Sequence, residues 1–142
     1  MIRRRDTPPT QGLPPGSFVV VAPDGTQFFA PPNADFVAVY QYGQSLRSTA
    51  GRDFGYAFAH NYGALFDFQR GNNLFNPAFS YAANYAIGID FAGAGDPLSY
   101  AQSIATAVKY LGSHGQGSSQ ASQAIAQGYA AAASGKCNKP KP

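Results

Sequence analysis

"NPAFSYAANYAIGIDFAGAGDP", residues 76–97, decides the fold class. Asn76-Pro77 places a capping residue before a proline at the first helical position, where the fixed φ helps and the missing N–H costs nothing. Phe79, Ala82, Ala86 and Ile89 then recur at spacings of three and four, which puts them on one side of a helix. Asp96-Pro97 repeats the device and opens a helix bearing Ala101, Ile104, Val108 and Leu111 on one face. Asp90 and Asp96 flank a glycine-rich break, Phe91–Gly95, with Asp96 as the next cap. The break follows no strand, so it does not read as a phosphate-cradling loop.

The same pattern extends in both directions. Upstream, Asp35 caps a helix carrying Phe36, Val39, Tyr40, Gly43 and Leu46. Asp53 caps a second segment from Phe54 to about Phe66, weakened by Gly55 and Gly63. Downstream, Ser118 or Ser119 starts a last helix with Ala121, Ala124, Ile125, Gly128 and Tyr129. Before all of these, Val19–Val21 and Phe28–Phe29 flank Asp24-Gly25, a favoured pair for a tight turn, and Pro31-Pro32 stops the second strand. The expected fold is α+β, mainly α: about five short helices packed together with an N-terminal β-hairpin. Residues 1–16, rich in proline, read as a linker, 17–134 as one domain and 135–142 as a disordered tail.

Composition narrows the chemistry. The chain has 142 residues, 44% hydrophobic and 14% aromatic, enough for one core. Only 12% are charged, about half the usual share of roughly 25%. The net charge of +3 comes from the ends, with Arg3–Arg5 at one and Lys136, Lys139 and Lys141 at the other. That distribution is poor for tracking phosphates, which needs cations clustered on one face. The acids are all aspartates; lysozyme-like enzymes commonly keep a glutamate acid, so although Asp can substitute, a muramidase is the weaker expectation. The single Cys137 excludes an intramolecular disulfide, and no spacing of ligand types points to a metal. No cofactor is called for. No stretch approaches the ~18 apolar residues of a membrane span. The basic start lacks the apolar run of a signal peptide, so export is expected to depend on a carrier.

The chemistry-bearing residues gather in the middle. His60 and Asp67 are seven apart, on one face of an uninterrupted helix, and Arg70 lies three beyond Asp67, within ion-pair reach on a helix. A histidine base oriented by a carboxylate, with a guanidinium for developing negative charge, suits hydrolysis of an ester or phosphodiester. His60, Asp67 and Arg70 are therefore the candidate catalytic residues. Tyr56, Tyr62, Gln69 and Tyr85 are the candidate substrate contacts, since an aromatic ring with a polar tip suits a sugar or a base. His114, in a Gly/Ser-rich connection, is a second acid–base candidate. The competing reading is structural: an Asp67–Arg70 pair, a half-buried His60, and tyrosines in the core.

"LFDFQRGNNLFNPAFSYAANYAIGIDFAGAG", Leu65–Gly95, resembles the C-terminal toxin modules of bacterial polymorphic toxins of the Rhs type, and among them the group called polymorphic toxin type 44. The element that carries the resemblance is Phe66-Asp67-Phe68-Gln69-Arg70, followed by a short loop and the small-residue helix. "QAIAQGYAAAASG", 123–135, is similar to the closing helix, and "VVVAPDGTQFFAPP", 19–32, to the strand pair where such a tip begins. The resemblance implies an interbacterial toxin, secreted and delivered into a target bacterium by a larger carrier and neutralised by a cognate immunity protein. It implies a hydrolase such as a metal-independent RNase. The alternatives are a cell-envelope hydrolase acting on peptidoglycan, and a non-enzymatic pore-forming or binding module.

Overall fold

The computed structural model describes residues 13–47, 66–68, 70–71, 74–103 and 118–136, with residues 70, 71, 74, 75 and 118 described by backbone alone. The chain opens on an antiparallel hairpin of β1 (Phe18–Val21) and β2 (Gln27–Ala30), in the register Phe18↔Ala30 to Val21↔Gln27. Its turn is longer than a two-residue Asp-Gly corner. Ala22 N–H donates to Thr26 C=O at 2.8 Å and Gly25 N–H to Ala22 C=O at 2.9 Å, so Pro23-Asp24 forms the bend and Gly25, at φ +90°, closes it. Asp24 Oδ1 accepts from Thr26 N–H at 2.9 Å and holds the loop.

Helix α1 (Phe36–Ser45) starts where its cap says it should. Asp35 Oδ1 accepts from the N–H groups of Val37 and Ala38, both at 3.1 Å. Phe36, Val39 and Gly43 form its buried face. A second, two-residue-per-strand hairpin pairs β3 (Arg70–Gly71) with β4 (Leu74–Phe75). Asn76 Oδ1 then accepts from Ala78 N–H at 3.0 Å, and a 3₁₀ turn over Pro77–Phe79 leads into α2 (Ser80–Ala94). Gly95, at φ +81°, ends α2: Gly95 N–H returns to Ala92 C=O at 3.1 Å and Asp96 N–H to Phe91 C=O at 3.0 Å. Residues 98–103 are helical, and α3 (Ser118–Ala133) closes the domain.

Together these elements make an α+β, mainly-α fold with an N-terminal hairpin. The expected helix from Phe54 to about Phe66 falls almost wholly outside the described residues. Among those described, four helical segments and one 3₁₀ turn are present.

The architecture departs from expectation at α2. It is not buried on one side. Ser80, Ala82–Phe91, Gly93 and Ala94 are all buried, because α1 packs on one flank and α3 on the other. A helix apolar all round belongs in the centre of a packet. Glycines let its neighbours come that close. A Cβ on Gly43 of α1 would lie 2.9 Å from the carbonyl carbon of Asp90, and one on Gly88 of α2 would lie 2.7 Å from the backbone N of Tyr129 in α3. Around this axis Tyr85, Phe28 and Phe36 share one core, with ring centroids 4.8 Å (Phe28–Tyr85) and 5.3 Å (Phe36–Tyr85) apart. Ile87, Phe91, Ala101 and Ile125 form a second cluster on the far side.

Polar contacts tie the ends together. Arg47 Nε donates to Gly93 C=O at 2.6 Å, a cation at the negative end of α2. Tyr129 Oη donates to Asp96 C=O at 2.6 Å. The hairpin turn is held to α3 by Asp24, whose N–H donates to Gln127 Oε1 and whose Oδ2 accepts from Gln123 Nε2, each at 2.9 Å.

Candidate functional site

The site grows from α1 and the segment 66–68. Ala38, Gln41, Tyr42 and Ser45 share one face of α1, turned away from the Phe36–Val39–Gly43 face that meets the core. Phe66 and Phe68 pack beside that face. Phe66 meets Tyr42 edge-on at 5.5 Å and Phe68 meets Phe36 at 5.7 Å, with 6.1 Å between the two phenylalanines. Between them runs a groove of about 440 Å³ lined by these residues with Asn33 and Asp35. Its floor is aromatic. Its rim is the exposed amides of Asn33 and Gln41 and the hydroxyl of Ser45, whose proton is donated to Tyr42 C=O at 2.6 Å.

Asp67 sits between the two phenylalanines in sequence and is 3% exposed. An ionised carboxylate at that depth is costly unless it is well partnered, so its position is not incidental. The structure also shows a second buried acid near the groove that the sequence reading treated only as a loop flank. Asp90, 2% exposed, lies in the middle of α2 where α1 crosses it. Burial, with the charge of Asp90 added to it, pushes the Tyr42 hydroxyl above its ordinary pKa. The signal for Asp90 was present in the sequence: a lone charge inside the apolar run Tyr85–Ala94.

No family model matches the chain, and no curated protein or solved structure matches it. Its function is therefore argued from the groove and its surroundings.

The expected catalytic trio is only partly in view. Asp67 is placed as described. Arg70 opens strand β3, so the helical spacing that was to bring it onto Asp67 does not apply. The physical reason is local: Gly71-Asn72-Asn73 is turn-forming, and it favours a hairpin over another helical turn. The period-two run Phe66-Asp67-Phe68-Gln69 was the overlooked hint of non-helical backbone. His60, Tyr56, Tyr62, Gln69 and His114 lie outside the described residues. Tyr85 is not a groove residue. It is 0% exposed at the centre of the aromatic core, against Phe28, Phe36 and Tyr81. Its place in sequence, four residues beyond the half-buried Tyr81, did not reveal that α2 is covered on every side.

Among the described residues, no three His, Cys, Asp or Glu side chains gather as a metal would require. Among the same residues, no helix is long and apolar enough to cross a membrane.

Proposed function

We propose that this chain is the toxin domain of an interbacterial effector, carried by a larger secreted protein and neutralised by a cognate immunity protein, and that it acts as a hydrolase. The observation that carries the reading is Asp67: a carboxylate only 3% exposed, between the two phenylalanines that line the groove. A buried acid beside a concave aromatic surface is a setting that acid–base chemistry uses. In this reading His60 is the general base or acid, Asp67 orients it, and Arg70 meets the negative charge that develops on the substrate.

The test is growth arrest. Residues 17–142 are expressed in the bacterial cytoplasm and, separately, in the periplasm, as the native chain and as Asp67→Asn. The expected result is arrest by the native chain in at least one compartment, and none by Asp67→Asn at equal expression and with an unchanged circular-dichroism spectrum. Killing by a folded Asp67→Asn protein would remove Asp67 from the chemistry.

A further inference from the structure

We infer that the groove on α1 binds a short neutral saccharide, so that the proposed hydrolase acts on an ester carried by a glycan rather than on a polynucleotide; this deepens the reading above and rests on it. The volume of about 440 Å³ lies within the usual range for a small-ligand site, roughly 300–1,000 Å³. The lining has two parts. Tyr42, Phe66 and Phe68 give an apolar aromatic floor, suited to the C–H face of a sugar ring. Asn33 and Gln41 flank it with amides that both donate and accept, and Ser45 Oγ, its proton committed to Tyr42 C=O, can still accept, which suits a ring of hydroxyls.

Charge favours the same ligand. Asp35 lines the groove, and its carboxylate repels a phosphate chain. The N-terminus of α1 opens at this place and would otherwise attract an anion, but Asp35 Oδ1 already takes the N–H groups of Val37 and Ala38. The helix end is thus closed to a phosphate by a group of the same sign. A neutral saccharide meets no such penalty.

The experiment is a titration of the purified full chain with two probes: the β-1,4-linked trimer of N-acetylglucosamine, and a single-stranded RNA decamer. Binding is read by calorimetry and by tyrosine fluorescence. The trimer is expected to bind, and Gln41→Ala and Tyr42→Ala are each expected to weaken it roughly tenfold, the equivalent of one lost hydrogen bond or ring contact. Gln41 is exposed, so its replacement tests the groove without threatening the fold. Trimer binding that both substitutions leave unchanged, or RNA binding in place of trimer binding, overturns the inference. Failure here is separable from failure of the hydrolase reading. If the trimer does not bind but Asp67→Asn abolishes killing, the groove assignment falls and the hydrolase stands. If the trimer binds at the groove but a folded Asp67→Asn protein still kills, the reverse holds.

Discussion

A Cβ placed on Gly128 of α3 would lie 2.8 Å from the carbonyl carbon of Tyr85 in α2, and closer still to its oxygen. The relation is reciprocated one turn along, where Gly88 of α2 meets the backbone of Ile125 and Tyr129. These helices touch backbone to backbone, so neither contact can be relieved by moving a flexible side chain. Gly128→Ala and Gly88→Ala should each cost about 3 kcal/mol or more, because a clash between two rigid backbones exceeds the usual overpacking penalty of about 1–3 kcal/mol by more than the ~1 kcal/mol of helix propensity gained. Gly25→Ala is the control. Its Cβ meets nothing within 4 Å, and the cost is the strain of φ +90°, about 1–2 kcal/mol. Thermal unfolding followed by circular dichroism should rank the helix glycines above Gly25. Equal losses at all three would mean that the helices separate freely.

Tyr81 presents the opposite problem. Its hydroxyl is buried and makes no well-formed hydrogen bond among the described residues, the Thr26 side chain offering it only a weak one. Burial, reinforced by the charge of Asp24 and partly offset by Thr26, pushes its pKa up to about 12. The folded state holds this proton more tightly than the unfolded chain does, whose tyrosine ionises near 10. The contribution is therefore intact below pH 10 and is lost as pH rises from there through about 12. Tyr81→Phe should leave stability at pH 7 unchanged or raise it by up to about 1 kcal/mol, since an unsatisfied buried hydroxyl is removed. It should also flatten the alkaline fall in unfolding temperature between pH 10 and 12. A loss of more than about 1 kcal/mol at pH 7 would show that the hydroxyl is well partnered after all.

The pairing of Tyr42 with Asp90 is open to spectroscopy. Burial is the larger cause of the raised Tyr42 pKa, and the Asp90 charge is the second. Asp90→Asn removes only the charge. The tyrosinate absorbance assigned to Tyr42 by comparison with Tyr42→Phe should then titrate at a lower pH than in the native protein, while staying above the ordinary tyrosine value. An unchanged midpoint would place Asp90 too far away to act on the groove.

Asp24 fastens the hairpin to α3, and its pKa is lowered, first by the Thr26 N–H. The unfolded chain takes up its proton near 3.8, before the folded one does. Its contribution is thus present above pH 3.8 and fades as pH falls through the lower folded value. The group is exposed, so the amount is a few tenths of a kcal/mol at most. Asp24→Asn should cost that little at pH 7 and nothing at pH 2, as measured by urea unfolding. A cost that persists at pH 2 would belong to lost turn geometry, not to charge.

Some of this was readable at the level of residues. Asp35 and Asn76 announce helix starts because a short polar side chain satisfies backbone N–H groups within its own turn. The hairpin was visible in Val19–Val21 and Phe28–Phe29, although Pro23 lengthened its turn beyond the Asp-Gly pair. The Asp67–Arg70 spacing misled, because spacing on a helix carries no information where Arg70 belongs to a strand.

The local signals in these 142 residues were enough to determine where helices start, where the chain turns, and that the fold is mainly α with a leading hairpin. They act over a few neighbouring residues and need no distant partner. Which face of each helix is covered was decided by assembly. Tyr85 is core rather than groove, α2 is enclosed rather than one-sided, and Asp90 is buried, because α1 and α3 close on α2 through glycines far apart in the chain. Such burial depends on backbones meeting across long separations in sequence, and no window of sequence contains both sides of the contact.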